Sequence, residues 1–146
     1  MVSQENVEIV RRLYVEGGPF ALPLSPDDER VLLDRLFRGF YDERLEVRMP
    51  ADYPEGEQVL WGREGMAGLL AMLRETWTVF RFEPEHFIDA GDRVVVFIRV
   101  VAEGGASGVA TDRETAHVWR VRNGRLSSIQ IYLDRSQALE AMGLES

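Results

Sequence analysis

The sequence predicts an α+β domain in which a curved antiparallel sheet wraps around helices from the N-terminal half. Three observations predict it. Residues 3–77 carry three helical periodicities separated by short extended runs, whereas residues 80–133 carry four strand-like runs with no helix between them. Those four runs are joined by turn chemistry at Gly91-Asp92, at EGGASG (103–108) and at Asn123-Gly124, which describes an antiparallel meander. Helices segregated from such a meander define α+β, and a long twisted meander curls around whatever fills its concave side. The 146 residues, 45% of them hydrophobic, suit a single domain spanning 1–146 with one core.

The elements follow in order. Ser3 reads as the cap of a first helix in which Val7, Val10, Leu13, Tyr14 and Gly17 keep helical spacing, and Gly17-Gly18-Pro19 stops it. Phe20, Leu22 and Leu24 lie between prolines in a loop that should pack against the body of the protein. Ser25-Pro26-Asp27-Asp28 opens a second helix with a capping-box pair and proline at the first position. Its stripe is Leu32, Leu33, Leu36, Phe37 and Phe40, and Tyr41 to Arg44 ends it. Leu45 to Met49 alternates as a short strand, PADYPEGEQ (50–58) is a loop, and Val59-Leu60-Trp61 is a second short strand. Gly62 breaks that strand, and Met66, Leu69, Leu70, Leu73 and Trp77 mark the clearest amphipathic helix of the chain.

The meander comprises Phe80 to Ala90, Arg93 to Ala102, Val109 to Val121 and Arg125 to Leu133. Asp134 caps a last short helix that Gly143 ends. The final hairpin admits two registers. A two-residue turn at Asn123-Gly124 pairs Arg122 with Arg125 and sets His117 opposite Gln130. A three-residue loop sets His117 opposite Ile129, and puts Thr115, His117 and Trp119 on one face with Ile129, Ile131 and Leu133. The second register is the one expected here.

A formal charge of −8 excludes nucleic acid and anionic membranes as natural partners. Without cysteine there is no disulfide, thiolate zinc site or cysteine nucleophile. No apolar run approaches the roughly 20 residues of a membrane span. MVSQENVEIV lacks a basic start and an apolar stretch, so the expectation is a cytoplasmic protein. No phosphate loop, nucleophile elbow or metal-ligand spacing occurs, so neither cofactor nor metal is expected. His86 among Glu83, Glu85 and Asp89 falls on the opposite face by alternation and makes no metal cluster. Arg99 interrupts a buried-looking strand and needs an acidic partner, with Glu114, Asp52 or Glu46 within reach.

Taken together, VEIVRRLY (7–14), WGREGM (61–66), FIDAGDRVVV (87–96), AHVWRVRNG and IYLD (116–134) resemble the SnoaL-like group of the nuclear transport factor 2-like superfamily. The resemblance covers nearly the whole chain. The departure is at 17–26, where relatives have a shorter link. It implies a cone with a deep apolar pocket, often dimeric through the outer sheet face, in a group holding ketosteroid isomerases, polyketide cyclases, epoxide hydrolases, scytalone dehydratases and non-enzymatic binders.

Carried over residue by residue, the resemblance places Tyr14 at the isomerase tyrosine and His117 at the oxyanion-hole aspartate, but Val47 at the base. For the cyclases, His117 matches the histidine and Ile131 stands at the aspartate. For the epoxide hydrolases, Arg99 matches the arginine while Val101 and Ile131 stand at the aspartates. Each known mechanism keeps a supporting residue and loses its principal carboxylate, and acid–base work needs a titratable group. The expected function is therefore a homodimeric binder of a small apolar or weakly polar molecule of polyketide, terpenoid or lipid-fragment size. Tyr14, Trp61, Arg99, Thr115, His117, Trp119, Ile129 and Ile131 would line its pocket. The alternative is an isomerase, cyclase or dehydratase using His117 as acid or base and Tyr14 as oxyanion donor.

Overall fold

Residues 2–16, 21–50, 58–104 and 110–144 are described by the computed structural model. The stop expected at Gly17-Gly18-Pro19, the Asp52-Tyr53 loop and most of the 103–108 turn lie outside them. Helix α1 (Val2–Glu16) starts before Ser3, which is therefore inside the helix rather than its cap. It buries Val10 and Leu13, and with them Asn6, whose Nδ2 donates to the Gly91 carbonyl at 3.3 Å. After the undescribed link, β1 (Ala21–Leu22) pairs antiparallel with β4 (Trp77–Ala90) through Ala21 and Arg81. The segment expected to pack somewhere thus packs as an added edge strand, with Leu24 against the core.

Helix α2 (Pro26–Gly39) carries the predicted capping box. Ser25 Oγ accepts from the Asp28 amide at 3.0 Å, and the Asp28 carboxylate accepts from the Ser25 amide at 3.4 Å. Tyr41 to Arg44 does not end this helix but opens β2 (Tyr41–Arg48). Arg125 secures the junction by donating to the carbonyls of Tyr41 and Arg38 at 2.9 and 3.0 Å. Strand β3 (Val59–Trp61) falls where the sequence places it and leads into α3 (Gly62–Thr76). Gly62 turns there at φ 63, where a side chain would also meet the Glu43 carbonyl. Met66, Leu69, Leu70 and Leu73 of α3 are buried as the stripe predicts.

The meander continues as β5 (Arg93–Gly104), β6 (Ala110–Arg122) and β7 (Arg125–Tyr132), followed by α4 (Arg135–Ala141), capped by Asp134. The sheet is curved and unclosed, in the order β1-β4-β5-β6-β7-β2-β3. It is mixed rather than wholly antiparallel, because β2 runs parallel to β7, with Val47 beside Ile129. Alternation reports which face a residue occupies and not the direction of the neighbouring strand, so the sequence was silent on this pairing.

Two bulges change the expected registers. Asn123 and Gly124 both have positive φ, 53 and 76, so the hairpin closes with the two-residue turn and Arg122 pairs with Arg125. An irregularity after Val121 then leaves one extra residue on β7. His117 faces Ile131, neither Ile129 nor Gln130, while Trp119 faces Ile129. The face expected of the three-residue loop is restored by a different device. A second irregularity, between Pro84 and His86, puts Glu83 opposite Arg99 and His86 opposite Phe97. Arg99 and Phe97 share a face, so His86 and Glu83 do too, contrary to strict alternation.

The concave face buries Val94, Val96, Ile98, Leu45 and Leu126 against α1, α2 and α3. On the outer face α4 covers Val95, Ala116 and Val118. No helix among the described residues is long and apolar enough to cross a membrane.

Candidate functional site

The helices do not fill the cone completely. A cavity of about 120 Å³ remains between α1, α2, α3 and the concave sheet face. Leu36, Met66, Leu70, Phe82, Ile129 and Ile131 form most of its wall, and no Asp or Glu is among its described lining residues. Tyr14, Tyr41, His117 and Trp119 bring the polar atoms.

These four are organised as a relay. The Trp119 indole N–H donates to the Tyr14 hydroxyl at 2.8 Å, and that hydroxyl lies 2.8 Å from His117 Nδ1. Trp119 has no acceptor atom on its ring, so the direction of the first bond is fixed by chemistry. The tyrosine hydroxyl makes no other hydrogen bond among the described residues, so donating its single proton to Nδ1 satisfies both groups and goes with the neutral Nε2–H tautomer of His117. His117 makes no other hydrogen bond among the described residues, and Nε2 is left at the cavity wall. Packing holds the ring, since Phe82 meets it edge-on at 4.9 Å between centroids. Tyr14 is fixed likewise by edge contacts with Phe87 at 5.9 Å and Trp119 at 6.4 Å.

Burial sets the protonation states. Desolvation pushes the His117 imidazole down to about 3, so the ring is neutral at ordinary pH. Desolvation raises the Tyr14 hydroxyl well above the usual phenol range, against a smaller opposing effect of the Trp119 bond, and also raises Tyr41. All three groups are neutral, and two of them, His117 Nε2–H and the Tyr41 hydroxyl, have no hydrogen-bond partner among the described residues. The site can donate hydrogen bonds to an uncharged oxygen. Its histidine is too weak a base to take a proton efficiently near neutrality.

Tyr14, His117, Trp119, Ile129 and Ile131 meet at the cavity as the sequence suggested. Three other expected lining residues do not. Trp61 is 58% exposed at the head of α3, because β3 is an outer edge strand. Arg99 stands on the outer sheet face, where its guanidinium makes a two-pronged bond to Asp112, at 2.7 and 2.5 Å. Its partner is neither Glu114 nor Glu46, and Asp52 lies outside the described residues. Thr115 is buried, but its hydroxyl donates to the Ile98 carbonyl at 3.2 Å and it does not line the cavity. Tyr41 was missed. It shares the odd-numbered parity of Leu45, Val47 and Met49, a signal masked by exposed Glu43 in between. It stacks on Trp119 at 5.7 Å. Of the positions where relatives carry acids, Ile131 lines the cavity and Val47 is fully buried in the core.

A helix-filled, curved sheet with its cavity at the concave face is the architecture that the comparisons bear on. The family model for the SnoaL-like domain matches residues 33–129. The chain belongs to that family. Solved structures agree across its length. TerC, co-crystallised with polyporic acid, is 22% identical with a TM-score of 0.66, over 95% of this chain and 98% of the other. A nuclear transport factor 2-like protein of unknown function from Burkholderia pseudomallei is 19% identical with a TM-score of 0.67, over 94% and 97%. A protein of ketosteroid isomerase-like fold from Catenulispora acidiphila, in complex with trimethylamine, is 18% identical with a TM-score of 0.63, over 94% of each chain. At such identities the likeness establishes the fold alone. No curated protein matches the chain.

Proposed function

We propose that this SnoaL-like protein binds a small, uncharged, mostly apolar molecule bearing one hydrogen-bond acceptor, such as a ketone. The observation that carries this reading is the Trp119–Tyr14–His117 relay, which ends in a free N–H at an apolar cavity. A donor left without a protein partner at an apolar cavity wall is costly, and a ligand oxygen bonded to His117 Nε2–H would remove that cost. The cavity of about 120 Å³ points to a ligand of about one ring, smaller than polyketide size, since an engineered apolar cavity of about 150 Å³ takes benzene. Two of the structural neighbours were crystallised with small molecules, polyporic acid and trimethylamine, which supports a small-molecule reading.

Cyclohexanone and methylcyclohexane test this in parallel, read by thermal shift and by quenching of Trp119 fluorescence. The ketone should bind more tightly, and His117→Leu should abolish the difference while retaining hydrocarbon binding. Equal binding of both by the unmodified protein, or binding unaffected by the cavity-filling Ile131→Phe, would refute the proposal.

The competing reading is an isomerase, cyclase or dehydratase with His117 as acid or base and Tyr14 as oxyanion donor. The direct Tyr14–His117 contact favours it. Against it stand the depressed basicity of His117 and the commitment of the Tyr14 proton to Nδ1. Turnover of an enolisable ketone, governed by one group titrating near neutrality and lost in His117→Leu, would establish it in place of simple binding.

A further inference from the structure

The sheet carries a second feature on its opposite, outer face. All of the chain's 17 basic side chains are arginines, and most have a carboxylate partner or lie scattered on the surface. Arg93 and Arg120 stand apart by their arrangement. They form a directly opposed pair across β5 and β6, so two like charges occupy neighbouring strand positions. Such a pair destabilises the sheet unless something neutralises it.

The described structure does so only in part. Arg93 reaches only the Met142 sulfur, a weak acceptor at 3.6 Å. Arg120 makes a long ion pair with the exposed Asp92 carboxylate, 3.8 Å from its Nε, and that buried Nε has no hydrogen-bond partner among the described residues. Glu46, two strands further along the same row, is already held by both prongs of Arg48 at 3.0 and 3.3 Å. The groove between these groups encloses about 290 Å³. Gln130 and Tyr132 supply further hydrogen-bonding groups at its side, while Val118 and Met142 form an apolar floor. Burial raises the Tyr132 hydroxyl and nearby Arg93 partly opposes that, so the phenol stays a neutral donor.

We propose that this outer-face groove is a binding site for a small organic carboxylate, chelated between Arg93 and Arg120 with its carbon skeleton on Val118 and Met142. A guanidinium presents paired donors that match the two oxygens of a carboxylate. The Arg120 Nε–H has no hydrogen-bond acceptor among the described residues, and its guanidinium belongs to a residue that lines the groove. The apolar floor favours a carboxylate with a hydrocarbon tail over a bare inorganic anion. The site is independent of the cone, because it lies across the sheet from His117.

Benzoate is the probe, titrated against the arginine Nε–H signals of the 15N-labelled protein, with benzamide and inorganic phosphate as controls. Saturable shifts at Arg93 and Arg120 with a Kd on the order of millimolar are expected for benzoate, and none for benzamide. Arg93→Gln and Arg120→Gln should each weaken benzoate by about tenfold, a difference of about 1.4 kcal/mol. Gln130→Glu keeps both arginines but places a competing carboxylate among them, and it should block binding in a protein whose circular dichroism is unchanged. Shifts equal for phosphate and benzoate would mean that the site reads charge alone, and would overturn the proposal. So would the absence of saturation. So would a dimer that dissociates on Arg93→Glu, since the missing counter-charge would then come from a second copy of this chain.

Discussion

Tyr14→Phe removes one oxygen atom and tests the relay at its centre. The hydroxyl serves two buried groups, accepting from Trp119 Nε1 and donating to His117 Nδ1, each at 2.8 Å. Trp119 and His117 are both nearly inaccessible to solvent, so neither replaces the lost bond with bulk water. Each orphaned group costs about 1–3 kcal/mol, whereas the phenylalanine ring keeps the edge contacts with Phe87 and Trp119. The expected loss is thus about 2–6 kcal/mol, or a fall in Tm of roughly 4–24 °C for a domain of this size. Urea unfolding, followed by tryptophan fluorescence with the slope held common, measures it. Trp119→Phe alone orphans only the tyrosine lone pair. The double variant should therefore lose less than the sum of the two, by about 1–2 kcal/mol of coupling. A loss below about 0.5 kcal/mol in Tyr14→Phe, or strict additivity in the cycle, would refute the bridging role, because buried polar groups cannot lose their partner without penalty.

Further expectations concern pH and packing. His117 is held neutral down to about 3 in the folded chain against an ordinary value of 6.5, so between those limits the unfolded chain binds the extra proton. Stability should therefore fall as pH drops from 6.5 toward 3, by up to about 1.4 kcal/mol per pH unit from this group; His117→Leu should show a flatter fall in the same urea series. Gly65→Ala should destabilise by about 1–3 kcal/mol, because the new Cβ would sit 2.8 Å from the Leu60 carbonyl carbon. Gly68→Ala in the same helix meets nothing within 4 Å and should stabilise by about 0.5–1 kcal/mol, both changes being read by scanning calorimetry against the unmodified protein. Ser25→Ala breaks the capping box of α2 and should cost about 0.5–2 kcal/mol of unfolding free energy, which Ser25→Asp should largely restore.

What the chain alone determined was local and periodic. The spacing Met66, Leu69, Leu70, Leu73 announced α3, Ser25 and Asp28 announced the start of α2, and Asn123-Gly124 announced the hairpin. These are contacts within one turn of helix or one turn of chain, so neighbouring residues suffice to specify them. Their order then implied helices against a curled sheet, and the histidine, tyrosine and tryptophan of the cavity followed from the strand face and the family likeness. The tertiary structure decided what depends on a single extra residue or on a distant strand. The β7 bulge moves His117 from Gln130, its partner under a plain two-residue turn, to Ile131, and the β4 bulge turns His86 to the side of Glu83. A one-residue offset leaves no mark in composition or periodicity, yet it flips every side chain beyond it. The parallel docking of β2 on β7 brought Tyr41 to the cavity and left Trp61 at an outer edge. Partners were decided the same way. Arg99 found Asp112 and not Glu114, because opposite strands set the reach of a guanidinium while the sequence reveals only that it must reach something.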